Sequence, residues 1–164
     1  MDVGDDIEMS GPWGQIEYIA PGIFIDGKRQ LPKKKNVGML AGGTGLTPML
    51  QVVQAVLSCA DDSTVCSMIY ANKNEEDILC REILDAYAAE HPNRFRIYYT
   101  LDNPPASGWD GGSGFVTQEM IEAHLPKPSE EAVVLMCGPP PMIKFACEQN
   151  LDKIGFRKEN QLAF

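Results

Sequence analysis

The 164 residues suffice for one well-buried domain and are too few for two, and 44% hydrophobic with 23% charged residues is an ordinary balance for a soluble globular chain. A net charge of −9 argues against nucleic acid as a general partner, because neutralising phosphates takes a basic face. No apolar run approaches the ~18–20 residues of a membrane helix, and the acidic start MDVGDDIEMS is unlike a signal peptide.

In chain order, Asp5–Met9, Gln15–Ile19 and Gly22–Ile25 read as short strands joined by turns, one of them GPWG. The basic stretch GKRQLPKKK follows, carrying Lys28, Arg29, Lys33, Lys34 and Lys35, with the composition of a hinge or linker. From Asn36 the pattern changes to strands alternating with helices. NVGMLA, residues 36–41, is a buried strand, and GGTGLTP turns the chain into a helix. Thr47 is the expected N-cap and Pro48 the first helical residue, with Leu50, Val53, Val56 and Leu57 at helical spacing behind them. Such a turn keeps three side chains out of the way and leaves unpaired N–H groups at the positive end of a helix dipole, which suits a phosphate. The turn is neither the dinucleotide fingerprint, since Pro48 stands where the third glycine belongs, nor a P-loop, since no Lys-Ser/Thr pair follows. A tight turn without a ligand stays open as the alternative.

Thr64–Ala71 is the next strand. A helix is expected near Glu75–Glu90, with Ile78, Leu79, Ile83, Leu84 and Tyr87 on one face. Arg94–Leu101 is a strand ending at Asp102, a Pro/Gly-rich loop runs to Gly114, and a short helix follows Thr117. Ala132–Met136 is a strand, CGPPPM opens another helix, and QLAF holds a last short strand. The expected fold is α/β: a three-layer, doubly wound parallel sheet of about five strands, with ligands bound where two special turns converge at the strands' carboxyl ends. Three prolines make Gly138–Pro141 a rigid ledge. Cys137 beside it is a small buried hydrophobe or a site residue. As a nucleophile it would need a base, and His91 and His124, at helix ends, read as surface residues. The five cysteines are odd in number and lack metal-ligand spacing, so they read as reduced thiols in a cytoplasmic setting, with no metal site.

The run Gly42-Gly43-Thr44-Gly45-x-Thr47-Pro48, then YANKNEEDIL, YTLD, GFV, LMCGPPPMI and a C-terminal aromatic, resembles the NADH-binding half of the NADH–cytochrome b5 reductase family. That family includes the C-terminal flavoprotein part of assimilatory nitrate reductase and belongs to the ferredoxin–NADP reductase superfamily. GPWGQIEYIAPGIFIDGK looks closer to the nitrate reductase branch.

The resemblance implies that Gly42, Gly43, Thr44, Gly45 and Pro48 form the NADH pyrophosphate turn, with Thr47 also touching FAD. Tyr70, Ala71, Asn72 and Lys73 would flank the adenosine. Asp102 looks like the acid that holds its ribose, repels a 2′-phosphate and so favours NADH over NADPH. Phe115 would lie near the adenine. Cys137, Gly138, Pro139, Pro140 and Met142 would form the nicotinamide pocket, Cys137 acting catalytically by orienting the ring, and Phe164 would stand beside the flavin. The implied activity is hydride transfer from NADH to FAD and then electron transfer to an acidic haem partner, cytochrome b5 or the b-type haem domain of nitrate reductase. On this resemblance residues 1–30 are closing strands of an FAD-binding β-barrel plus the hinge, and residues 31–164 are the NADH-binding domain. The barrel's flavin motifs are missing, so FAD would be held mainly by an FAD-binding domain in cis, outside this chain, and the chain alone should be inactive. Lys33–Lys35 could dock the acidic acceptor. A non-enzymatic NAD(H) sensor module and an NADPH-dependent reductase remain the alternatives.

Overall fold

The computed structural model describes residues 6, 8–11 and 14–164. The expected strand at 5–9 and the turn at 11–14 include residues outside that set. The described chain opens with an antiparallel ribbon of β1 (Ile16–Ala20), β2 (Ile23–Asp26) and β3 (Arg29–Gln30). Next come β4 (Asn36–Gly42), α1 (Leu46–Ser58), β5 (Val65–Asn72), α2 (Arg81–Glu90) and β6 (Phe95–Leu101). They are followed by β7 (Gly112–Ser113), α3 (Gln118–His124), β8 (Ala132–Cys137), α4 (Gln149–Lys153) and β9 (Gln161–Ala163). Among the described residues, β4–β9 form one parallel sheet of six strands in the order β7-β6-β5-β4-β8-β9. The sixth strand beyond the expected five is the two-residue β7, too short to carry a periodic signal.

The central strands are buried throughout, because helices cover both faces and alternate residues enter opposite cores. On one face Met49, Val53 and Val56 of α1 and Leu84 of α2 pack with Val37, Met39, Tyr70 and Leu135 of the sheet. On the other, Ile121 of α3 and Leu151 of α4 pack with Leu40, Ile69, Val134 and Met136. The chain steps from β4 through β5 to β6 in one direction, then returns to place β8 on β4's opposite side. The switch point therefore lies between β4 and β8, where the glycine turn and the proline ledge both emerge.

Two expected elements are corrected. The α1 helix starts at Leu46, directly after a 3-10 turn at Gly43–Gly45, so Thr47 is no N-cap and its hydroxyl instead donates to Thr44 O at 3.2 Å. Pro48 remains in the first turn, where its missing N–H costs nothing. The expected helix Glu75–Glu90 is broken: a 3-10 turn at Glu75–Asp77 stops at Ile78, and α2 begins only after Cys80, held at φ +54. Leu79 and Ile83 are consequently exposed rather than core residues.

The basic stretch is not a loose hinge. Leu31 N–H donates to Phe24 O and Lys34 N–H to Gly22 O, while Phe24 and Leu31 are buried in the core of the parallel sheet. Lys34 is 1% exposed, and its Nζ donates to Glu130 O and Asn160 Oδ1, each at 2.7 Å. Lys35 pairs with Glu131 and Arg29 with Asp26. Of the three lysines expected to dock an acceptor, Lys34 is buried inside the chain, while Lys33 and the ion-paired Lys35 remain on the surface.

Candidate functional site

At the carboxyl ends of β4, β5, β6 and β8 lies a groove of about 800 Å³, inside the ordinary range of small-molecule sites. Its floor is the end of β4 and the glycine turn (Gly42, Gly43, Thr44) with the end of β5 (Ala71, Asn72, Lys73). One wall is Glu76, Asp77 and Leu79 with Asp102. The other is Phe115 and Val116 facing Pro139, Pro141, Met142, Phe145 and Ala146.

The turn explains itself atom by atom. Gly43 holds φ +53, a conformation glycine adopts without strain, and a Cβ there would meet no atom within 4 Å. Its outer side is open to a ligand. Gly42 and Gly45 lack side chains for a different reason. A Cβ on Gly42 would stand 2.5 Å from Met142 Sδ and 3.1 Å from Pro139, and one on Gly45 would collide with the Cys137 carbonyl. Those two glycines let the proline ledge press onto the turn. No side chain caps either the 3-10 turn or α1; the Leu46 N–H is taken by the Gly43 and Thr44 carbonyls, and no side chain competes for the N–H groups before it. Tyr70 is fully buried beneath the turn, and its hydroxyl donates to Gly43 O at 2.9 Å. Burial pushes that phenol up, so it remains a donor. Tyr70 supports the turn from below and does not face the groove.

At the β5 end, Asn72 is 7% exposed, and both its Nδ2 and Oδ1 lack a hydrogen-bond partner. A buried carboxamide left unpaired costs roughly 1–3 kcal/mol, which a polar ligand group reaching Asn72 would recover. The loops after β5 and β6 are knitted together: Asp102 N–H donates to Asn72 O, Asn103 N–H to Lys73 O, and Asn103 Nδ2 to Asn74 Oδ1. Asp102 is therefore fixed in position while its side chain stays exposed.

A π-helix, Met142–Glu148, runs from the ledge into α4. π-turns are rare and cluster at functional sites; this one carries both Met142 and Phe145 onto the groove wall. Phe115 is 75% and Phe145 57% exposed, an apolar exposure that a bound ring would cover. Cys137, at the end of β8, is half-buried with its thiol pushed up by burial, so it stays protonated and non-nucleophilic near neutral pH. Gly138 and Pro140 shape the ledge without lining the groove. The β8–β9 register pairs Ala163 with Met136, which brings the half-exposed Phe164 level with Cys137.

Of the expected residues, Gly42, Gly43, Thr44, Ala71, Asn72, Lys73, Asp102, Phe115, Pro139 and Met142 share the one groove. Gly45, Thr47, Pro48, Tyr70, Cys137, Gly138, Pro140 and Phe164 do not line it. The expected set lacks seven lining residues, Glu76, Asp77, Leu79, Val116, Pro141, Phe145 and Ala146. The first three lie where a continuous helix was expected, and Phe145 lies where the helical register widens.

The family profile described as "Oxidoreductase NAD-binding domain" matches residues 39–148, the span that holds the groove. The chain belongs to that family. Over its full length it is 49% identical to NADH-cytochrome b5 reductase 2 of Xenopus tropicalis and 49% identical to NADH-cytochrome b5 reductase 3 of Rattus norvegicus, covering 55% and 56% of them. Among solved structures it matches the cytochrome b5 reductase domain of Ulva prolifera nitrate reductase at 44% identity and TM-score 0.94, covering 100% of this chain and 62% of that one. The chain thus spans little more than half the length of the curated relatives it matches. Among the described residues no helix is long and apolar enough to cross a membrane, and no His/Cys/Asp/Glu cluster could hold a metal ion.

Proposed function

We propose that this chain is the NADH-binding part of an FAD-dependent reductase that passes a hydride from NADH to FAD and electrons on to a haem acceptor. The observation that carries the reading is the open, positive-φ peptide at Gly43, sharing one groove with the unpaired Asn72 carboxamide and the proline ledge.

In this reading the Gly43–Gly45 N–H groups take the pyrophosphate, Asp102 accepts from a ribose hydroxyl, and Phe115 covers the adenine. The Pro139 ledge and Met142 form the wall against which the nicotinamide lies. Cys137, neutral, and Phe164 orient that ring; neither attacks it. When bound, FAD supplies the acceptor that takes the hydride and releases electrons singly. This chain offers FAD only an edge, the exposed Thr47 and the half-exposed Phe164, which fits a flavin held mainly by a further FAD-binding domain. The chain's own contribution is placement, where small errors are costly in rate. The acceptor is a haem protein or domain of the cytochrome b5 type, and the setting is the cytosol or the cytosolic face of a membrane.

Calorimetric titration of the chain with NADH and NADPH, repeated after adding an FAD-binding domain, is the test. NADH should bind saturably and NADPH much more weakly, with reductase turnover only when the flavin domain is present. Absence of NADH binding overturns the proposal.

A further inference from the structure

Four charged side chains line the adenosine end of the groove: Lys73, Glu76, Asp77 and Asp102. They are not equally free. Asp77 Oδ2 accepts from the Asn74 backbone N–H and from Asn74 Nδ2, each at 3.0 Å, as half of a capping box. Glu75, outside the groove, is taken by Arg81 at 2.5 Å. Among the described residues no cation stands within ion-pair distance of Glu76 or Asp102. The knitted loops hold these two carboxylates on one rim, because Glu76 follows Asn74, which is bonded to Asn103 beside Asp102. Independently, the buried and unpartnered Asn72 carboxamide marks this rim as the place where a polar ligand group arrives.

We infer that Glu76 is a second specificity-determining residue, acting with Asp102 to reject dinucleotides that carry a 2′-phosphate. The inference rests on the dinucleotide reading of the groove. Asp102 is placed to accept from a ribose hydroxyl, so its loss removes an attractive contact as well as a charge. Glu76 needs no contact with NADH. Its carboxylate, without an ion-pair partner, lines the same groove as Asp102, so a 2′-phosphate beside that ribose would bring nearly two negative charges toward it, and among the described residues Lys73 is the single cation lining the groove. Asp102→Thr alone therefore leaves a substantial part of the preference for the unphosphorylated coenzyme in place.

The test measures dissociation constants of NAD and NADP on the chain and its variants by calorimetry, at low and at high salt. Glu76→Gln should lower the NADP-to-NAD ratio of constants about three- to tenfold at low salt. Glu76→Lys should lower it further, and Glu76→Gln combined with Asp102→Thr should lower it more than either alone. Because the effect is a field across solvent, the Glu76→Gln change should shrink toward unity at molar salt, where screening extends only ~3 Å. An unchanged ratio in Glu76→Gln, or full loss of the preference in Asp102→Thr alone, overturns the inference and leaves the dinucleotide site intact. Failure of wild-type chain to bind NAD overturns both.

Discussion

A Cβ on Gly45 would collide with the carbonyl of Cys137, whereas one on Gly43 would meet no atom within 4 Å. The two glycines stand in one turn for opposite reasons, one facing the protein and the other facing outward. Between them the geometry of the turn is set by Tyr70, whose buried hydroxyl bonds the Gly43 carbonyl and so fixes which way that peptide's N–H points. Tyr70→Phe removes the bond and leaves the carbonyl with the Leu46 backbone N–H alone, so holding the turn falls to the bound diphosphate, at about 1 kcal/mol or about fivefold in affinity. NADH affinity should fall by about that factor while the nicotinamide mononucleotide, lacking the diphosphate bridge, is little affected. Equal losses for both ligands would show that Tyr70 does not act through the turn. The glycine turn was legible in the sequence through its company, a strand before it, a helix start after it and the CGPPP turn at the same sheet edge, since the glycines alone also suit a tight turn without a ligand. The role of Tyr70 was not, because a tyrosine at a strand end gives no sign of whether its hydroxyl turns up to the groove or back beneath the turn.

At the scale of elements, apolar periodicity found the strands of the parallel sheet apart from the two-residue β7, and it failed where local bonds override it. Ile78, Leu79, Ile83 and Leu84 fit a helical face, yet the Asn74–Asp77 capping box and the positive φ at Cys80 split that helix in two. Arg81 holds the break in place, pairing with Glu75 and Asp85 while its guanidinium lies over the Tyr99 and Trp109 rings. The same failure hid Glu76 and Leu79 from the predicted site. The basic stretch misled in another way, because composition counts charges without showing where they point. Lys34 runs inward and its ammonium satisfies Glu130 O and Asn160 Oδ1, joining the ribbon side of the fold to the segments flanking β8 and β9. Lys34→Met should destabilise the chain by about 2–4 kcal/mol, since the buried Asn160 Oδ1 and the part-buried Glu130 carbonyl both lose a charged donor. Thermal melting should record a fall of roughly 5–15 °C for a chain of this size. Lys33→Glu, on an exposed side chain, is the control and should shift the midpoint hardly at all. A Lys34→Met midpoint as high as that control's would mean the ammonium contributes nothing in its buried position.

For the whole molecule, the question is whether the antiparallel ribbon belongs to the body that carries the groove or only rests beside it. The residues favour one body. Phe24 of β2 is fully buried, in the same core as Val37, Met39 and Tyr70, and Leu31 closes over it. Tyr18 of β1 packs its ring on Phe24, with centroids 5.0 Å apart, and donates its hydroxyl to Asp62 in the loop after α1. That hydroxyl also accepts from Gly22 N–H, and burial beside the Asp62 carboxylate pushes the phenol up to about 12, so it remains a donor throughout the physiological range. The boundary at residue 30 that the resemblance implies therefore cuts through a packed core, because a shift from strand-rich to βα-rich sequence marks a change of pattern and not a change of hydrophobic cluster. Removing residues 1–30 should leave a chain that melts at least ~10 °C lower or fails to fold, since loss of a buried phenylalanine alone costs about 3–5 kcal/mol. Phe24→Ala in the full chain gives the intermediate measurement and should lower the midpoint by roughly 6–20 °C. If the shortened chain melts where the full one does and Phe24→Ala is neutral, the ribbon is an independent unit and the boundary at residue 30 stands.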